Sequence, residues 1–177
     1  MVDLYKTLIG NQFEAALCTL SDCIQQCPSE LWHEPLAELR FCQIAFHTQF
    51  FTDVYLGRNL EELRKQAFHA EHVATFADYE ELADRRQQNT YEKDFIDDYL
   101  DHCRDKAVEV ISAETEQSLA HHPGFEWLPF SRAEVHVYNI RHIHHHPAQL
   151  SLHLRQRAAI SIPSYRSGWG QAWRNDN

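Results

Sequence analysis

Residues 131–158 read SRAEVHVYNIRHIHHHPAQLSLHLRQRA, and their reading decides the fold. Ser131 is followed three residues later by Glu134, the spacing of a capping box. Phe130 before the cap and Val135 after it are placed as a hydrophobic staple. From there Val137, Ile140, Ile143, Leu150 and Leu154 recur at helical spacing. The stretch therefore reads as a helix with a marked start. Pro147 lies inside it, where it removes a backbone donor and crowds the carbonyl of Ile143, so a kink is expected.

The same helix carries a polar stripe of His142, His146, Gln149 and His153. His142 and His146 are four residues apart, which puts two imidazoles on one face, one turn apart. Such a pair can share one divalent ion if a third ligand comes from another element. His144 points to a different face, and His145 fits the stripe less well. His153 lies about 10 Å further along the axis, too far to join the same ion directly.

Working outward, residues 3–27 carry Tyr5, Ile9, Phe13, Ala16, Leu20 and Ile24 at steps of three and four, a long amphipathic helix ended by Pro28. Residues 36–56 are apolar nearly all round, so a helix there is buried on several sides, with Pro35 at its first turn and Gly57 closing it. His47 sits in its middle, where an imidazole must find a partner or bear the cost of desolvation. A core histidine satisfied by a neighbour is one reading; the third ligand to His142 and His146 is the other. Residues 58–88 are the least regular part. Asn59 with Glu62 can cap a short helix through Phe68, and residues 76–86 can form a second. Asn89 with Glu92 starts a third long helix over 90–114, with Ile96, Tyr99, Cys103, Ala107 and Val110 as its stripe. The tail 159–177 has Trp169 and Trp173 and no period. The expectation is one all-α domain over residues 1–177, a four-helix bundle with a long connection between its second and third helices.

Composition bounds the function. The net charge of −10 argues against nucleic acid, whose phosphates demand a basic surface, and against anionic membrane surfaces. No apolar run approaches the roughly 20 residues that cross a bilayer. The first residues, Met1-Val2-Asp3-Leu4-Tyr5-Lys6, lack the basic and apolar regions of a secretory signal. Five cysteines with no CxxC fit the reducing cytosol, so the expected compartment is cytoplasmic.

Other chemistries find no motif. A di-iron bundle needs Glu-x-x-His on two helices, and no Glu stands three residues before His142 or His146. There is no HExxH and no phosphate-binding loop. Cys18, Cys23 and Cys27 on the first helix read as small core residues, and Asp97, Asp98 and Asp101 as a solvated face. His69, His72, His102, His121, His122 and His136 show no partner pattern, and the surface is expected for each.

The pattern His-x-x-x-His-Pro-Ala-Gln-Leu-x-x-x-Leu-Arg over residues 142–155 resembles the last-helix signature of the DinB/YfiT-like metalloenzyme family. His47, in Ile-Ala-Phe-His-Thr-Gln-Phe-Phe, resembles that family's single histidine on the second helix. The resemblance covers about residues 1–158, and Pro147 departs from the Arg or other helix former usual at its position. It implies an up-down-down-up four-helix bundle with one divalent ion, zinc or nickel, held by His47, His142 and His146. Relatives in that family include S-transferases using bacillithiol, mycothiol or glutathione, and a maleylpyruvate isomerase. The implied function is a metal-dependent transferase acting on a small-molecule substrate with a low-molecular-weight thiol. A metal-dependent hydrolase is the alternative, and a structural or vestigial metal acting through dimer contacts is the reading outside catalysis. A homodimer is expected from the long apolar second helix, the tryptophans of the tail and family habit. Gln149 is expected to orient a histidine or a bound ligand, Arg155 to make an ion pair, and Phe76, Tyr79, Trp127 and Tyr138 to wall the cleft.

Overall fold

The computed structural model describes residues 1–167. Helix α1 spans Val2–Gln26 and the short α2 spans Ser29–Trp32. Strands β1 (Pro35–Leu36) and β2 (Leu39–Arg40) pair antiparallel, with Leu36 opposite Leu39. Helix α3 follows at Phe41–Leu56. Short helices α4 (Leu60–Arg64), α5 (Ala67–Glu71) and α6 (Val73–Phe76) and a 3₁₀ turn at Glu80–Leu82 make up the connection. Helix α7 spans Lys93–Ala113, α8 Glu116–Ala120 and α9 Arg132–Ala158. Apart from that one hairpin the described chain is helices and their connections, so the class is all-α. No described helix is long and apolar enough to cross a membrane.

Four long helices pack with α9 and α7 each lying against α1 and α3. Their directions follow from bonds at their ends. The hydroxyl of Tyr5 donates to the carbonyl of Ala133 at 2.9 Å, and the thiol of Cys23 meets that of Pro147 at 3.6 Å, so α1 and α9 run the same way. Lys6 reaches Ser112 and Lys93 reaches Gln25, so α7 runs opposite to α1. Helix α3 runs opposite to α9, because its last turn meets the first turn of α9 through Arg132. The last carbonyls of a helix lack partners within it. Here the Arg132 guanidinium donates to the carbonyls of Tyr55 (2.9 Å), Leu56 (2.6 Å) and Gly57 (2.6 Å), while its Nε donates to Glu114 at 2.9 Å.

Residues 36–40 do not join α3. Ala37 takes a left-handed backbone (φ 59) in a tight hairpin, and the side chain of Gln43 accepts the Arg40 N–H at 2.8 Å, so the helix starts at Phe41. Asn59 caps α4 through the Glu62 N–H at 2.8 Å, as its spacing predicts, but that helix ends at Arg64 and the chain restarts at Ala67. Residues 76–86 form no α-helix beyond Phe76. Asn89 caps nothing: its N–H goes to Glu80 at 2.9 Å and its carbonyl accepts from Gln43 at 2.8 Å, so α7 begins only at Lys93. In α9, Ser131 accepts the Glu134 N–H at 3.4 Å, the forward half of the predicted box, and the helix continues through Pro147. Its buried stripe is Val135, Asn139, Ile143, Pro147, Leu150 and Leu154, whereas Val137 is 45% exposed. The tryptophans predicted to serve a dimer, Trp169 and Trp173, lie outside the described residues.

Three histidines expected at the surface are drawn inward by carboxylates on other helices. Asp53, fully buried on α3, accepts from His69 Nε2 (2.9 Å), Tyr99 (3.0 Å), Gln66 (3.2 Å) and the Lys106 ammonium, with His102 at 3.6 Å. Burial opposes the charge of Asp53, but these donors win and hold its carboxyl well below the usual range. His136 is fully buried and meets Glu114 at 3.0 Å.

Candidate metal centre

The ligand nitrogens of His47 on α3 and of His142 and His146 on α9 all lie within 4.8 Å of one another. Among the described residues no other group of three His, Cys, Asp or Glu side chains converges in this way. The i, i+4 pair is placed by helix geometry alone, and α3, running antiparallel beside α9, brings His47 across to it. Nε2 of His47 and Nε2 of His142 are 3.4 Å apart. Two imidazole nitrogens bound at about 2.05 Å to one tetrahedral ion stand roughly 3.3 Å apart, so the pair has the separation an ion would impose.

The outer nitrogens point the same way. Nδ1 of His47 is 2.6 Å from Oε2 of Glu81, and Nδ1 of His146 is 3.3 Å from Oε1 of Gln149, whose amide nitrogen meets Nε2 of His145 at 3.2 Å. A ring whose Nδ1 is held by an acceptor presents Nε2 as the lone-pair nitrogen. Gln149 thus takes the orienting place expected of it. Nδ1 of His142 is buried without a partner.

Burial, reinforced by the neighbouring histidines His146 and His47, pushes His142 down to about 3. Burial and His47 push His146 down to about 4. Both rings are therefore neutral at neutral pH, the form a metal takes. His47 is not the buried residue its helix suggests. Its side chain is 22% exposed, because it occupies the face of α3 that opens toward α9 and the connection.

Phe51 lies 4.9 Å from the His47 ring and 5.7 Å from that of His142, and Tyr55 lies 6.3 Å from His142. These two wall the centre. Of the walls expected, Tyr138 packs against Tyr55 at 5.2 Å. Phe76 and Tyr79 belong instead to the His69 cluster, and Trp127 is 52% exposed against Phe125. His153 stays out of the centre, as its spacing predicts, and pairs with Glu34 at 3.2 Å. The ion pair expected of Arg155 is made by Arg157, which also reaches Glu34; Arg155 is exposed.

An open groove of about 590 Å³ runs from His146 and Gln149 to the hairpin, with Leu36, Leu39, Ile44 and Leu152 as its apolar lining. All five cysteines are free and buried. Periodicity gives no hint of Glu81, which sits in an aperiodic turn; its place depends wholly on tertiary contacts. No family model, curated protein or solved structure matches this chain.

Proposed function

We propose that this protein is a metal-dependent transferase of the DinB/YfiT type, using one divalent ion held by His47, His142 and His146 and a small external thiol. The helix directions support the up-down-down-up four-helix bundle that such a protein would have. The observation that carries the reading is the convergence of three imidazoles with no fourth protein ligand in the group among the described residues. Three protein ligands and an open position are the pattern of a catalytic rather than a structural ion. Imidazole suits zinc and nickel alike.

A bound divalent ion would supply Lewis acidity, able to hold a thiol as thiolate or bring the pKa of water to about 7. The chain's own part is to aim the rings through Gln149 and Glu81, to screen one side with Phe51 and Tyr55, and to offer an apolar groove beside His146. The volume of that groove lies in the range of small-molecule sites. In transfer the thiol would come from outside the chain. Burial pushes the thiols of Cys18 up to about 11 and of Cys23 and Cys27 up to about 12, so none is an activated nucleophile.

Helix α3, the expected dimer face, is interior and gives a homodimer no surface. Leu4, 72% exposed, and Leu8, 54% exposed, on α1 are among the exposed apolar side chains of the described residues. Light scattering that returns a monomer mass at micromolar concentration removes the dimer from the proposal.

The function is tested with untagged protein loaded with cobalt. Addition of a small thiol is expected to change the cobalt spectrum through a new metal–sulfur bond, and turnover of an electrophile panel is expected only with thiol present. A spectrum indifferent to thiol, with ester or amide cleavage in its absence, replaces transfer by hydrolysis.

A further inference from the structure

Glu81 lies in the 3₁₀ turn of the connection, far in sequence from α9 and 34 residues from His47. Its side chain is 1% exposed, and Oε2 stands 2.6 Å from Nδ1 of His47. Oε1 is buried and meets no hydrogen-bond partner. Among the described residues no Lys or Arg forms an ion pair with it, and its contact is the His47 ring. A buried carboxylate with half its acceptor capacity idle is costly unless positive charge lies close by.

The turn is fastened on both sides. Glu80, 4% exposed, accepts the backbone N–H of Asn89 at 2.9 Å and a guanidinium N–H of Arg85 at 2.9 Å. Tyr79 holds a left-handed backbone (φ 47), which a non-glycine residue keeps only where its surroundings fix it. Its hydroxyl meets Nδ1 of His69 at 3.0 Å, and Nε2 of the same ring meets Asp53 at 2.9 Å. Polar contacts therefore run from Asp53 in the interior of α3 through His69 to Tyr79, two residues before Glu81.

We infer that Glu81 is the outer carboxylate of the three-histidine centre. It accepts the Nδ1–H of His47, so that Nε2 faces His142 and His146, and it brings to the site the negative charge that three neutral imidazoles lack. This rests on the metal reading above and assigns to it a positioning residue outside the ligand set. A carboxylate behind a ligating imidazole fixes the ring and makes it a stronger donor.

The test compares wild type, Glu81→Gln, Glu81→Ala and the exposed control Glu61→Gln, first by zinc affinity against a competing chelator. Loss of an outer partner of this kind is worth about 10–100-fold in metal affinity. Glu81→Ala should show that loss, Glu81→Gln less because its amide oxygen still accepts the N–H, and Glu61→Gln none. The second readout is the nitrogen spectrum of the His47 ring in the metal-free proteins, in mildly alkaline buffer. Wild type should carry the proton on Nδ1, and Glu81→Ala should move it toward Nε2, a change that a merely structural role would not produce. If Glu81→Ala fails to fold by circular dichroism, Glu81→Gln decides. Zinc affinities equal to wild type, or a wild-type His47 protonated on Nε2, overturn the assignment of Glu81 alone. A wild type that takes up no ion overturns the metal centre and this role together.

Discussion

Helix α9 and the connection between α3 and α7 hold opposite sides of one centre by different physics. In α9, two of the three histidines sit one turn apart on a continuous helix whose own hydrogen bonds and buried stripe, Val135 to Leu154, set their spacing. In the connection, Glu81 sits on a turn with little regular structure, whose neighbours are held by the Asp53–His69–Tyr79 contacts on one side and by Glu80 bound to Asn89 on the other. Helical placement is local and rests on many small contributions. Placement by a polar network is concentrated in a few bonds, each expensive to leave half-made. The two sides should therefore respond differently to substitution and to pH.

The largest effect is expected on the helical side. His142→Ala removes one of three ligands. Since outer partners alone are worth about 10–100-fold, affinity should fall by more than about 100-fold. Metal analysis of untagged protein should go from one ion per chain to almost none, and His47→Ala should do the same. Stoichiometric metal in both variants would falsify the centre.

Asp53→Ala attacks the network side. Breaking a buried pair costs about 3–5 kcal/mol, because Lys106, His69 and Tyr99 lose their shared acceptor. Urea unfolding should report that loss, and zinc affinity should drop as the Glu81 turn loosens. A folded variant with unchanged zinc affinity would show that the turn stands without its anchor.

Acid should separate the two kinds of placement next. Burial raises the pKa of Glu114, but hydrogen bonds from His136, Ser118 and Arg132 outweigh it and bring the group to about 2. A carboxylate with a depressed folded pKa stabilises the fold above its ordinary value of 4.5, and that stability goes as pH falls from there toward 2. Burial keeps His136 below its ordinary 6.5, so the unfolded chain gains a proton first there and loss begins just under that pH. Melting temperatures should thus decline below about pH 6.5 and faster below about 4.5. Glu114→Gln should start lower and show a shallower acid limb; an acid limb as steep as the wild type's would rule Glu114 out as its source.

The smallest effect belongs to a local device within the connection. Asn59→Ala removes the cap of α4 and should cost about 1 kcal/mol with zinc affinity unchanged. A drop in zinc affinity would mean that α4 helps to place Glu81.

What was legible in the sequence follows the same division. The long helices and the His142–His146 pair were readable because a 3.6-residue repeat is written in neighbouring residues. Even there the apolar repeat names only part of the buried stripe, since Val137 faces out while Asn139 and Pro147 face in. The hairpin at 35–40, the start of α7 and the Glu81 turn were not readable, because distant partners decide them: Gln43 for Asn89, Glu80 for the chain before α7. His69 and His136 looked like surface residues because nothing local announces Asp53 and Glu114, the carboxylates that hold them inside.

Arg132 acts as the zero mark of a slide rule. By clasping the final carbonyls of α3 at the first turn of α9, it sets how far one helix is displaced along the other. His142 lies ten residues further on, about 15 Å along the axis. A slip of a single helical turn, about 5.4 Å, exceeds the 4.8 Å within which the three ligand nitrogens now meet. The alignment of the three histidines is therefore kept at one end of the helix pair, by a side chain more than two turns away from them.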